Sequence, residues 1–112
     1  MDIRFQSAKA RSDAGLAAYA RQCLLRQMQH RGDRVDRIDV GFVDAAGRMP
    51  PRDSYCIVRM KLHGLPAASV VVVGSDVQTA IGRAADRVGR LADEQLRQSA
   101  GPPATPAATL AA

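Results

Sequence analysis

Apolar positions recur along this chain with two different periods, and the changes of period divide it into six elements. In "MDIRFQS" Ile3 and Phe5 fall on one side and Asp2, Arg4 and Gln6 on the other, as in a half-buried strand. The spacing then widens to three and four at Leu16, Tyr19, Ala20, Cys23, Leu24 and Met28. This predicts an amphipathic helix with Ser12 as N-cap and Gly32 as its C-terminal stop. Period two returns in "RIDVGFVD", with Ile38, Val40 and Phe42 inward, and again in "SYCIVRMKL", with Cys56, Val58, Met60 and Leu62 inward. Between them "AAGRMPPRD" contains Gly47, Pro50 and Pro51 and cannot continue a ladder, so it is expected to be a mobile connection.

"AASVVVV" is apolar at every second position and at the positions between, which predicts a fourth strand covered on both sides. The second helix opens at Ser75, which with Gln78 has the form of a capping box, and Asp76 in its first turn suits the helix dipole. Its apolar stripe is Val77, Ile81, Ala84, Val88 and Leu91, with Ala80, Ala85 and Ala92 beside it. A helix between the first two strands favours parallel pairing there, and the later connections favour an antiparallel meander. The expected fold class is therefore α+β, in the order β-α-β-β-β-α: a four-stranded mixed sheet with two helices packed on one face. One domain over residues 1–99 is expected. The uncharged tail "GPPATPAATLAA", with three prolines in its first six residues, predicts disorder over residues 100–112.

Composition adds a sign to this picture. Sixteen basic residues against 11 acidic ones give a net charge of +5, and 14 of the 16 are arginine, whose fork suits phosphate. Residues 1–62 carry 12 basic and 7 acidic side chains, whereas the second helix carries four of each. Cys23 and Cys56 are too isolated for a zinc ribbon or a CxxC redox motif and are expected to be reduced core thiols. No apolar run is long enough to span a bilayer, and the start lacks signal-peptide character, so a cytoplasmic location with no membrane partner is expected.

Nothing in the sequence forms a catalytic or metal-binding motif: there is no phosphate loop, no GxSxG elbow and no HExxH, and His30 and His63 stand far apart. No enzyme, cofactor or small-molecule substrate is predicted. The basic residues are the candidates instead. Arg83, Arg87, Arg90 and Arg97 form one stripe of the second helix, opposite the apolar one. Arg21 and Arg26 lie on the polar side of the first helix. Arg4, Arg37, Arg59 and Lys61 are expected on the open face of the sheet, with Tyr55 among them. Two readings follow: a solvated surface with i,i+4 pairing to Asp86, Asp93 and Glu94, or a set of phosphate contacts that bind RNA by shape. Two phenylalanines and two tyrosines are too few for a platform that stacks successive bases.

"SDVQTAIGRAADRVGRL" resembles the signature helix of the hibernation-promoting factor and ribosome-associated inhibitor family, also called the sigma-54 modulation protein family. Asp76, Thr79, Ala80, Ile81, Asp86, Arg87, Val88 and Arg90 match its pattern or a conservative equivalent. Gln78 stands where the family has an aromatic residue, Leu91 where it has Gln, and "ADEQLRQS" where it typically adds lysines. The resemblance covers about residues 1–98. It implies the same strand and helix order, a layout like that of double-stranded-RNA-binding domains, and a short form without the C-terminal dimerisation domain. It also implies binding to the 30S subunit of bacterial ribosomes through 16S rRNA, in the channel for messenger and transfer RNA, which would stop translation under stress. Arg87 and Arg90 are the positions that carry over most directly. The alternatives are a protein-interaction module of the same fold and a general double-stranded RNA binder.

Overall fold

Ladder pairing in the computed structural model, which describes residues 1–44 and 53–100, joins four strands in the order β1-β2-β3-β4. These are β1 (Asp2–Phe5), β2 (Val35–Val43), β3 (Ser54–Leu62) and β4 (Ala68–Gly74). β1 runs parallel to β2, and the other two pairings are antiparallel. The fold is α+β with a mixed sheet, as the periodicities predict. Most of the connection "AAGRMPPRD" and the tail beyond residue 100 lie outside the described residues.

Register aligns the apolar positions of successive strands into buried rows. Val40 pairs with Val58 and Val58 with Val70; Phe42 pairs with Cys56 and Cys56 with Val72. All six are buried, and Ile38, Met60 and Leu62 extend the same face. Removing Phe42 from water alone is worth roughly 2–3 kcal/mol. Two helices cover this face: α2 (Ala14–Gln27), through Ala20, Cys23, Leu24 and the following Met28, and α3 (Val77–Ala100), through Val77, Ala80, Ile81, Ala84, Ala85, Val88 and Ala92. Leu91, the last member of the predicted stripe, is half-buried against the same core.

Several boundaries differ from the sequence-based expectation. The first helical segment is split: a short α1 (Ala8–Ser12) precedes α2, and Ser12 ends α1 instead of capping α2. Asp13 is the cap, its carboxylate accepting from Leu16 N–H at 3.0 Å. Ser7 caps α1, and its hydroxyl also ties the segment to the sheet. Its Oγ accepts from Ala10 N–H at 3.1 Å and Phe42 N–H at 3.2 Å, and donates to the Phe42 carbonyl at 3.1 Å. At the other end α2 stops at Gln27 rather than at Gly32. The Arg31 guanidinium donates to the Gln27 carbonyl, and Gly32 opens a single 3₁₀ turn with an ordinary negative φ. Tyr19, expected in the core, is exposed.

β4 also departs from expectation. Val70 and Val72 are buried, but Val71 and Val73 are 55% and 54% exposed, so the strand is covered on one side only. Both helices are spent on the other face, and no described residue covers this one. The β4–α3 junction is tight: a Cβ on Gly74 would lie 3.1 Å from the Ala80 nitrogen and 3.2 Å from the Asp76 carbonyl, so a side chain there would press on the start of α3. Asp76, not Ser75, caps α3. Its carboxylate accepts from Thr79 N–H at 2.8 Å and the Thr79 hydroxyl at 3.0 Å.

These two cap bonds hold the Asp76 carboxyl below the usual aspartate range, the Thr79 amide foremost. The Leu16 amide does the same for Asp13. Because each folded pKa is depressed, the stabilisation is complete above the unfolded value of about 4 and is lost as pH falls through the folded value. Asp76→Asn keeps an acceptor without the charge. Its melting temperature is expected to lie a few degrees below wild type at pH 7, with the gap narrowing as pH is lowered below about 4 in thermal unfolding followed by circular dichroism. A gap independent of pH would contradict the charge-assisted cap.

Candidate nucleic-acid interface

Along the exposed side of α3, Arg83, Arg87 and Arg90 form no salt bridge with the acids that neighbour them in sequence, although Asp86 lines a groove with all three and Glu94 one with Arg87 and Arg90. Two of the three expected partners are turned toward α2 instead: Asp86 accepts from Gln27 Nε2 at 2.8 Å, and Asp93 pairs with Arg31 at 2.7 Å. Four salt bridges are formed among the described residues, and none involves Arg83, Arg87, Arg90 or Arg97. Two of the three acids of the helix are thus engaged across the α2 side, while its arginines carry no ion pair.

The seam between the helices is built for close approach. Two glycines, Gly82 and Gly89, lie two turns apart on the α2 side of α3. A Cβ on Gly82 would meet the Tyr19 hydroxyl at 3.5 Å, and one on Gly89 would collide with the Gln27 side chain. Above this seam runs a groove of about 570 Å³ lined by Tyr19, Arg26, Gln78 and Arg83, with Asp76 and Asp86 on its α3 wall. Arg83 also borders a second groove of about 360 Å³ on the other side of α3, which Asp86, Arg87 and Arg90 line together with Val71, Val72 and Val73 of the β4 edge. The Arg87 guanidinium lies 3.5 Å from the Val71 carbonyl, at the limit of a hydrogen bond. Arg26, Arg83, Arg87 and Arg90 thus form one continuous helical surface, with Arg97 exposed at its far end.

The remaining candidates are elsewhere. Arg21 covers the Phe5 ring, 5.4 Å from its centroid, at the β1 edge. Arg4, Arg37 and Arg59 are on the opposite, open face of the sheet, and two of them are engaged there. Arg4 bonds Asp2 at 2.7 Å, which raises its pKa further, and Arg37 bonds Asp39 at 3.1 Å. Lys61 does not project from that face: its ammonium folds back onto the carbonyls of Leu62, at 2.9 Å, and Leu65, so it closes the turn before β4. The ten basic candidates do not make one surface. The sequence reading missed Arg31 and Gln27, the two side chains that occupy the acids of α3; the pair of glycines seven residues apart was the available signal for a close helix–helix seam.

Neither cysteine is placed for chemistry. Both are buried, and burial pushes the Cys56 thiol up to about 12. No three His, Cys, Asp or Glu side chains gather as a metal site among the described residues, and no described helix is long and apolar enough to cross a membrane.

No protein-family model and no curated protein matches the sequence. Solved structures do match the fold. The N-terminal domain of Protein Y from Thermus thermophilus is similar with a TM-score of 0.67 at 18% identity, over 85% of this chain and 99% of that one. A ribosomal subunit interface protein from Coxiella burnetii is similar with a TM-score of 0.69 at 13% identity, over 86% of this chain and 98% of that one. The chain shares the fold of these two proteins.

The two classes of arginine separate experimentally. Arg31, whose side chain is only 16% exposed, bridges Asp93 and the end of α2, so Arg31→Ala is expected to destabilise the fold by roughly 1–2 kcal/mol. Arg87→Ala and Arg90→Ala should each stay within about 0.5 kcal/mol of wild type. Urea unfolding checks both.

Proposed function

We propose that the chain is a non-enzymatic ribosome-associated factor of the hibernation-promoting kind. It would act in the cytoplasm and occupy an RNA-lined site on the small ribosomal subunit. The observation that carries this reading is the coincidence of the shared fold with an α3 face whose arginines are left unpaired. Arg83, Arg87 and Arg90, with Arg26 across the groove, neutralise phosphates of 16S rRNA; the apolar side of α3 holds that row to the sheet. Recognition of this kind reads the placement of phosphates, so affinity depends on RNA shape and falls with salt.

The exposed arginines give the reading an electrostatic signature. The tagged protein is expected to co-sediment with 30S or 70S particles at low salt. Arg87→Glu with Arg90→Glu should release it while its melting temperature stays within a few degrees of wild type. Milder replacement of the same pair by alanine should lower the slope of log affinity against log salt by about 1.5–2. Absence of the wild-type protein from all ribosomal fractions at low salt would exclude the ribosome as its partner.

A further inference from the structure

On the face of the sheet away from the helices, a trough of about 570 Å³ runs along β2, and the surface assigned above to ribosomal RNA does not use it. Register fixes its plan. Arg4, Asp39 and Arg59 lie side by side at one end, Gly41 beside Ile57 in the middle, and Val43 beside Tyr55 at the other end. Gly41 is the floor.

Nothing inside the protein requires glycine there. Its φ is not positive, and a Cβ would meet only the Ser7 Cβ, at an ordinary 3.8 Å. Gly64, by contrast, sits at φ 76°, and a Cβ on Gly74 would press on the backbone of Asp76 and Ala80. Glycine in a strand interior weakens the strand and often marks a place where something approaches from outside. The space that a side chain at position 41 would fill is the trough itself.

The walls describe what fits. Tyr55 is half-buried, and Ile57 is 39% exposed beside the glycine. Four residues along the same face of β3, about 13 Å away, Arg59 is exposed and makes no salt bridge among the described residues. The other polar groups of the rim are already fixed: Asp39 holds Arg37 at 3.1 Å and Gln6 Nε2 at 3.1 Å, and Arg4 is held by Asp2. One end of the trough is aromatic and aliphatic, the other carries an uncommitted guanidinium, and between them the backbone is open to close approach.

We propose that this trough binds a single nucleotide, its base on Tyr55 and Ile57 over Gly41 and its phosphate at Arg59. The ligand chemistry is that of a nucleoside monophosphate, either free or as one unpaired residue of an RNA strand. A single aromatic wall holds a single base, so the site differs from a platform for successive bases. It lies opposite the α3 surface and does not depend on ribosome binding.

Backbone amide shifts of the full chain, titrated with each of the four 5′-mononucleotides and with hexaadenylate, test the site. Saturable shifts are expected at Gly41, Tyr55, Ile57 and Arg59. Gly41→Val should raise the melting temperature by a few degrees and weaken binding at least tenfold. Arg59→Ala, which leaves the floor intact, should also weaken it, and Arg87→Glu with Arg90→Glu should leave mononucleotide binding unchanged. Equal saturation by a mononucleotide and by hexaadenylate identifies a free nucleotide as the ligand; saturation by hexaadenylate alone identifies RNA. The proposal is overturned if no probe shifts these residues, or if Gly41→Val binds as tightly as wild type.

Discussion

Only one face of the sheet is apolar enough to need covering, and that constraint arranges the rest of the molecule. Ile38, Val40 and Phe42 of β2, with Cys56, Val58, Met60 and Leu62 of β3, all point the same way, so α2 and α3 must lie side by side on that face. Side-by-side helices need a seam, and this one is made close by Gly82 and Gly89. Closeness brings Gln27 to Asp86 and Arg31 to Asp93. Asp86 and Asp93 of α3 are thereby engaged by Gln27 and Arg31, and its arginines stay in solvent without ion pairs. A charge pattern that is balanced in sequence is partly sorted in space because of where the hydrophobic residues go.

The parts of this fold that follow from local periodicity were legible in the sequence. Alternation in β2 and β3 identified the buried positions of those strands except Val35 and Ser54 at their starts, and the three–four spacing of α3 identified its buried side from Val77 to Ala92. Helix starts were displaced because two capping residues stand next to each other: Ser12 precedes Asp13, and Ser75 precedes Asp76. In both pairs the carboxylate takes the amide. β4 was misread for another reason. A run of valines suits a strand covered on both sides, but whether a second layer exists depends on how many helices the chain has to place there, and both were already used.

The candidate site was less legible. Arg83, Arg87 and Arg90 were visible as a stripe, yet whether they are neutralised by Asp86 and Asp93 depends on side chains 59 and 62 residues away. Lys61 followed the alternation of β3 and still left the open face, because the turn after Leu62 offers it two carbonyls. Periodicity reports which way a side chain starts; for a long cationic side chain, local acceptors decide where it ends.

The parallel pairing of β1 has a consequence for the order in which the chain is made. Asp2 is the partner of Arg37 and Phe5 of Val40, so β1 finds its neighbour only after about 35 more residues, on the order of seconds later at ordinary translation rates. In that interval α1 and α2 can form from local contacts, while Ile3 and Phe5 have no sheet to join. β2, β3 and β4 then pair with near neighbours in sequence, and closing β1 onto β2 is the step with the greatest loop-closure cost within the sheet. The β1 edge is where assembly of this sheet ends, although β1 precedes the other three strands in sequence.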